Sequence, residues 1–199
     1  MTNVLIIGAT GSVGQTTRNY FLDNTNDDLT LMARHPQHLN VHDDRERVIQ
    51  GDVTDQSILS EALKGQDVVF AALSGNLGKM ADSLVKAMDK SDVKRLLFIT
   101  SMGIYNEIPA SLGGGNLSSN PMLSSYRKAA DIIEASDLNY TVIRPGWFDN
   151  NNDTDYEVTH KGEPFGGHDV SIKSIADLVV RLAHDEKLGS RDSLGINRK

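Results

Sequence analysis

The stretch Val4-Leu5-Ile6-Ile7-Gly8-Ala9-Thr10-Gly11-Ser12-Val13-Gly14 decides the fold. Its first four residues form a continuous apolar run, the pattern of a strand buried on both faces. The glycines that follow are spaced G-x-x-G-x-x-G, and each has a physical use. Gly8 permits a tight turn out of the strand, Gly11 lets the backbone approach a pyrophosphate, and Gly14 lets the next helix pack closely on the sheet. The free N–H groups and positive dipole where that helix starts, at Thr10, Ser12 and Val13, then favour phosphate. Three glycines alone are a weak signal, but a strand before them and a helix after them is the context that a dinucleotide site requires.

Working outward, short β-type runs alternate with helix-length amphipathic stretches. Helical patterns span Ser12 to about Leu22, Gln56 to Leu63, Gly78 to Lys90, Met122 to Ser136 and Ser174 to His184. Strand patterns span Leu29 to Ala33, Arg47 to Gln50, Asp67 to Ala72, Lys94 to Thr100 and Tyr140 to Arg144. Regular βα alternation predicts an α/β fold, a Rossmann-type doubly wound parallel sheet with helices on both faces. One domain accounts for residues 1–199, with about 147–172 and 185–199 expected to form a small C-terminal substrate-binding portion. Two stretches break the rhythm, Asn106 to Pro121 with its three consecutive glycines, and Asp149 to Asp155. Both follow strand C-terminal ends, where ligands bind in this architecture.

The composition narrows the function classes. With 20 Lys and Arg against 27 Asp and Glu, the net charge is −7 over 199 residues. No basic stripe marks a nucleic-acid surface. No apolar run approaches the ~18 residues of a membrane span, and no signal-peptide pattern opens the chain, so a cytoplasmic protein is expected. The absence of cysteine removes disulfides, thiolate metal sites and cysteine nucleophiles together. The partner expected is a small molecule, bound by a monomer or homodimer.

An NAD site places Asp or Glu at the end of strand two, for the ribose 2′-hydroxyl. This chain has Met32-Ala33-Arg34-His35 there. A guanidinium at Arg34 suits a 2′-phosphate, so NADP(H) is expected over NAD(H). A solvated surface arginine is the alternative.

At this point the chain resembles the atypical short-chain dehydrogenase/reductase superfamily, in its NmrA-like NAD(P)H-binding branch. The resemblance rests on the glycine turn, on Gly51-Asp52-Val53-Thr54-Asp55, and on Phe98-Ile99-Thr100-Ser101 running to Tyr105. It continues in Leu138 to Gly146, which ends Arg144-Pro145-Gly146, and in Val170-Ser171 leading to Ile175-Ala176-Asp177. The resemblance implies Asp52 and Val53 beside an adenine and Ala71, Ala72 and Leu73 along the cofactor. It also implies Thr100 at the cofactor and Pro145 and Gly146 flanking a nicotinamide. For Asp52, a turn or helix cap is an equal alternative.

Typical members use a Ser or Thr after strand five and a Tyr-x-x-x-Lys, in which the lysine cation lowers the phenol pKa and the tyrosine protonates the carbonyl. Here Ser101 holds the serine position and Tyr126 the tyrosine position, but the residue four beyond Tyr126 is Ala130. Lys128 is two beyond, roughly 200° around a helix. The dyad is broken. Hydride transfer to a flavin or quinone is the chemistry that tolerates this best, since a bound cofactor carries it. A non-catalytic NADP(H)-sensing regulatory protein is the alternative, and Tyr126 then bonds a ribose or packs.

His35, His38 and His42 lie at helical spacing, but Pro36 disturbs the turn and no metal is expected there. His160 and His168 flank a hairpin-like turn. Arg144 is expected in a structural ion pair. Of the aromatics after it, Trp147 is expected to touch substrate and Phe148 to pack.

Overall fold

The computed structural model describes residues 1–41 and 44–199. The main sheet begins as the glycine turn requires. Strand β1 (Asn3–Ile7) passes through Gly8 into helix α1 (Ser12–Asn24), which returns the chain to β2 (Asp28–Ala33). Next come β3 (Glu46–Gln50), α2 (Gln56–Ala62), β4 (Val68–Ala71), α3 (Leu77–Met88) and β5 (Arg95–Ile99). After a long loop come α4 (Ser124–Glu134), β6 (Asn139–Pro145), β7 (Trp147–Asp149) and β8 (Tyr156–Thr159). Strand β9 (Asp169–Ser171), α5 (Ile172–His184) and β10 (Asp192–Arg198) follow.

The eight-stranded sheet has the order β3-β2-β1-β4-β5-β6-β10-β8. Every neighbouring pair in it is parallel except β8 on β10. Strand order reverses between β1 and β4, which opens a crevice at their C-terminal ends. β7 and β9 form a separate two-stranded parallel pair beyond β6.

Side chains alternate across the sheet, because successive Cβ atoms on a strand point to opposite faces. Leu5, Ile7, Val69, Leu96 and Phe98 join one core with residues of α2, α3 and α4. Val4, Ile6, Phe70, Leu97 and Ile143 join the other with residues of α1 and α5. At the start of β5, buried Arg95 donates to the carbonyls of Leu182 (3.1 Å) and Leu188 (2.9 Å), and so closes the end of α5. Burial lowers its pKa to about 10, which leaves it a cation at neutral pH beside the negative end of a helix.

Several expectations need correction. A 3-10 turn, Pro121–Leu123, precedes α4, so the helical pattern from Met122 becomes an α-helix only at Ser124. Helix α5 starts two residues before Ser174, on a Ser171 cap whose Oγ accepts from Ser174 N at 2.9 Å. The turn at His160 does not close a hairpin: β8, which ends just before it, pairs with β10, and β9, which follows it, pairs with β7. Residues 192–198, expected on the substrate side, form a strand of the main sheet. The segment with His35 and His38 is an exposed 3-10 turn instead of one helical face, and His42 lies outside the described residues. No helix among the described residues is long and apolar enough to cross a membrane.

Candidate functional site

An open cleft of about 610 Å³ lies at the ends of β1, β2 and β4. Gly8, Thr10 and Gly11 form its floor, Arg34, Asp52 and Val53 one wall, and Ala72 and Leu73 the other. Gly8 has φ +89°, and a Cβ there would collide with the Ala72 carbonyl oxygen. A Cβ on Gly14 would strike the Gly8 carbonyl, so close packing of α1 on the turn needs glycine there. Gly11 is different: its φ is −76°, and a Cβ would reach 3.4 Å from the Gly8 oxygen and otherwise stand in the opening.

Helix starts show why this opening suits an anion. Side chains close α2, α3 and α5, where Asp55, Asn76 and Ser171 accept from backbone N–H groups. Helices α1 and α4 start without a side-chain cap, and of the two it is α1, at Gly11, that opens on this cleft. Its free N–H groups and positive dipole end therefore remain available beside the cleft. A dinucleotide pyrophosphate fits this cradle.

Asp52 makes a turn and also faces the cleft. Its Oδ1 accepts from Thr54 N and Thr54 Oγ1, both at 2.8 Å. These bonds, and then the charges of Arg34 and Lys79, hold its pKa below the ordinary carboxylate range. The sequence reading missed Ser74 and Met80 on the rim. Ser74 follows the run Ala71 to Leu73 directly, so it was within reach, whereas Met80 arrives from the first turn of α3 and left no local signal. Val13 and Ala71 are buried beneath the cleft, and neither they nor Ser12 and Gly14 line it.

A second cavity, about 950 Å³, opens at the ends of β5 and β6, adjoining β4 in the sheet. It brings together Thr100, Ser101, Tyr126, Pro145, Gly146 and Trp147, each a candidate from sequence. Thr100 is held by its N and Oγ1 bonds to the Ile143 carbonyl, at 2.7 and 2.9 Å. Ser101 Oγ donates to the Met102 carbonyl at 3.1 Å. Tyr126 stands in the first turn of α4, and its side chain makes no hydrogen bond among the described residues. Lys128 is directed elsewhere: its stem packs on Gly78 of α3, with Cδ 2.8 Å from where a Cβ would be. Phe148 corrects its expectation, because it is 49% exposed and lines this cavity beside Trp147.

The loop roofing this cavity is anchored from behind. Glu107 accepts from Gly103 N at 3.0 Å and Tyr105 N at 2.9 Å, and pairs with Arg144 at 2.6 Å. Both charges are buried, and Arg144 reaches on to Ser193 of β10. Tyr105 donates to Glu134 at 2.5 Å, with Lys161 4.5 Å and Arg127 5.0 Å from its ring centre. Burial, followed by the Glu134 hydrogen bond, pushes its phenol above the ordinary tyrosine range. Asn116 clamps Ile108 by two bonds of 2.9 Å, and Gly115, Asn120 and Leu123 complete the roof.

With this geometry in place, residues 8–186 match the model of a family described as NAD(P)H-binding. The chain belongs to that family. It is an atypical short-chain dehydrogenase/reductase, as its motifs led us to expect. A Rossmann-fold NAD(P)-binding family protein from Shigella flexneri is 38% identical, with TM-score 0.85, over 100% of this chain and 94% of that one. A short-chain dehydrogenase/reductase from Veillonella parvula, solved in complex with NADP, is 26% identical with TM-score 0.91, over 99% and 94%. A Bacillus subtilis protein named as an uncharacterized sugar epimerase, YhfK, is 28% identical over 156 residues, covering 72% of this chain and 71% of it.

Proposed function

We propose that the chain is an NADP(H)-dependent oxidoreductase, preferring NADP(H) to NAD(H), that transfers hydride to a small planar acceptor such as a flavin or quinone. The observation that carries this is the placement of an apolar, aromatic-rimmed cavity on the strand ends next to the glycine-turn cleft. The bound dinucleotide supplies two-electron hydride chemistry. Gly11 and the open start of α1 hold its phosphates, Arg34 pairs with the 2′-phosphate, and Asp52 and Val53 meet the adenine. Ala72 and Leu73 line its path, and Pro145 and Gly146 flank the nicotinamide. On the acceptor side, Tyr126 hydrogen-bonds the acceptor oxygen, Ser101 stands beside it, and Trp147 stacks on its ring. The Veillonella complex with NADP supports the cofactor assignment by similarity.

The test mixes purified protein with NADPH and a panel of flavins and quinones and follows cofactor absorbance at steady state. Turnover on a planar acceptor is expected. One observation favours a second reading, a sensor of the NADP(H) state: Lys128 packs on Gly78 and Ala130 occupies the position four beyond Tyr126. Tight NADPH binding with no turnover on any acceptor would decide for that reading.

A further inference from the structure

The reductase reading leaves the charge of the acceptor open, but the second cavity speaks to it. None of the described residues lining it is charged. Thr100 and Ser101 spend their hydroxyls on backbone carbonyls, and Asn120 Oδ1 accepts from Met122 N at 3.2 Å. Among the described residues no hydrogen bond occupies the Tyr126 hydroxyl or the Asn120 side-chain N–H groups, so both are uncharged donors for a carbonyl oxygen. The apolar character is concentrated at the mouth. Met122, Trp147 and Phe148, three of the five large hydrophobic side chains exposed among the described residues, meet at this opening. An exposed apolar cluster around a pocket marks a binding site for apolar matter. The cations that flank Tyr126 on α4 stand outside the lining: Arg127 pairs with Asp131 at 2.7 Å, and the stem of Lys128 packs on Gly78 of α3. Asp149, next to Phe148, is held by Arg198 at 2.5 Å, and Asp169, opposite Trp147 in the β7–β9 register, pairs with His168 at 2.6 Å.

We propose that the acceptor is an uncharged, flat, lipophilic carbonyl compound of the quinone or enone class, and that an anionic group on the ring system excludes a compound from the site. This rests on the reductase reading and narrows it. An anion carried into a lining without a cation loses its hydration and gains no partner, and the penalty is large. A neutral quinone instead buries its ring against Trp147 and Phe148 and offers one oxygen to Tyr126. For a quinone, the acceptor gains a hydride from reduced nicotinamide and a proton from water, and leaves as the hydroquinone.

Trp147 is the single tryptophan of the chain, so intrinsic fluorescence reports on this cavity without any cofactor. The experiment titrates the protein with 1,4-naphthoquinone and with its 2-sulfonate, correcting for collisional quenching with free N-acetyltryptophanamide. NADPH oxidation is then followed with the same two compounds. Saturable quenching by the neutral quinone at concentrations at least about tenfold below those for the sulfonate is expected, since that ratio is the scale of one unpaired charge partly desolvated. Met122→Lys, at a rim position 82% exposed and outside the core, should shift the ratio toward the sulfonate by about tenfold. Equal or tighter binding of the sulfonate, or no saturable quenching by either compound, would overturn the proposal. Sulfonate reduction at the neutral quinone's rate would leave the reductase reading intact and remove this one. Selective binding of the neutral quinone without NADPH oxidation would remove the reductase reading, and the acceptor proposal with it, and leave only the cavity's preference for an uncharged ring.

Discussion

Arg34 sits at the end of β2 as an exposed guanidinium on the wall of the cleft, where its charge acts on Asp52 of the same wall. If it meets a 2′-phosphate, Arg34→Asp removes a charge-assisted hydrogen bond of about 1.5–3 kcal/mol, so NADPH affinity falls roughly 10- to 100-fold while NADH affinity changes little. Calorimetric titration of both dinucleotides checks this, and equal losses would remove Arg34 from the site. A second residue-scale expectation concerns His160, whose pKa is raised, chiefly by its 2.6 Å bond to Asp192. A raised folded value means that the contribution is fully present below the unfolded histidine value near ~6.5 and fades as pH rises through the folded one. Because His160 is largely exposed, the contribution is a few tenths of a kcal/mol. In an NMR titration, Asp192→Asn should return the His160 midpoint toward that of a free histidine. Chain neighbours signalled where single residues stand when the cue is local: Gly8 and Arg34 line the cleft, and Ser101 lines the second cavity. The partner of Arg144 gave no such signal, because Glu107 lies 37 positions away and meets it only once the loop has folded. Phe148 misled for a related reason: an aromatic after a buried strand reads as core, and only the two-stranded pair beyond β6 turns it outward.

At the scale of elements, the glycine turn separates two demands that its motif merges. Gly14 is a packing requirement and Gly11 is a space requirement. Gly14→Ala forces a methyl into the Gly8 carbonyl, an overpacking cost of about 1–3 kcal/mol that lowers Tm by several degrees at this size. Gly11→Ala adopts the same backbone without strain, so Tm should hold while dinucleotide affinity falls about tenfold or more through lost phosphate approach. Thermal melts with and without NADPH distinguish the two. Five helices and the first six strands were legible because short, mostly apolar β-type runs alternate with stretches of helical period. The later strands were not. β7 and β9 have three residues each, and β8, Tyr-Glu-Val-Thr, is as short as β4 but lacks its continuous apolar run. β10 reads Asp-Ser-Leu-Gly-Ile-Asn-Arg, with polar ends that resemble a loop, although its middle is buried.

Across the whole molecule, the sheet is not assembled in chain order. β10 lies between β6 and β8, so the strand of highest residue number is interior while β8 forms the edge. It also supplies Ser193, whose hydroxyl and carbonyl accept from Arg144 at 3.0 and 3.1 Å, and through that guanidinium it steadies Glu107 and the cavity roof. A chain stopped at Ser190 therefore loses partners of a buried charge as well as a strand, and calorimetry should find no cooperative unfolding transition; a melt within a few degrees of the full chain would contradict this. During synthesis, the hydrogen-bonding edge of β6 and the whole of β8 wait for residues 192–198 to emerge. Until then a growing chain presents an open, apolar strand edge of the kind that pairs with other chains. The interval between making β8 and making β10 is thus the period when two nascent copies are most prone to join each other, and faster elongation through that stretch should favour soluble product.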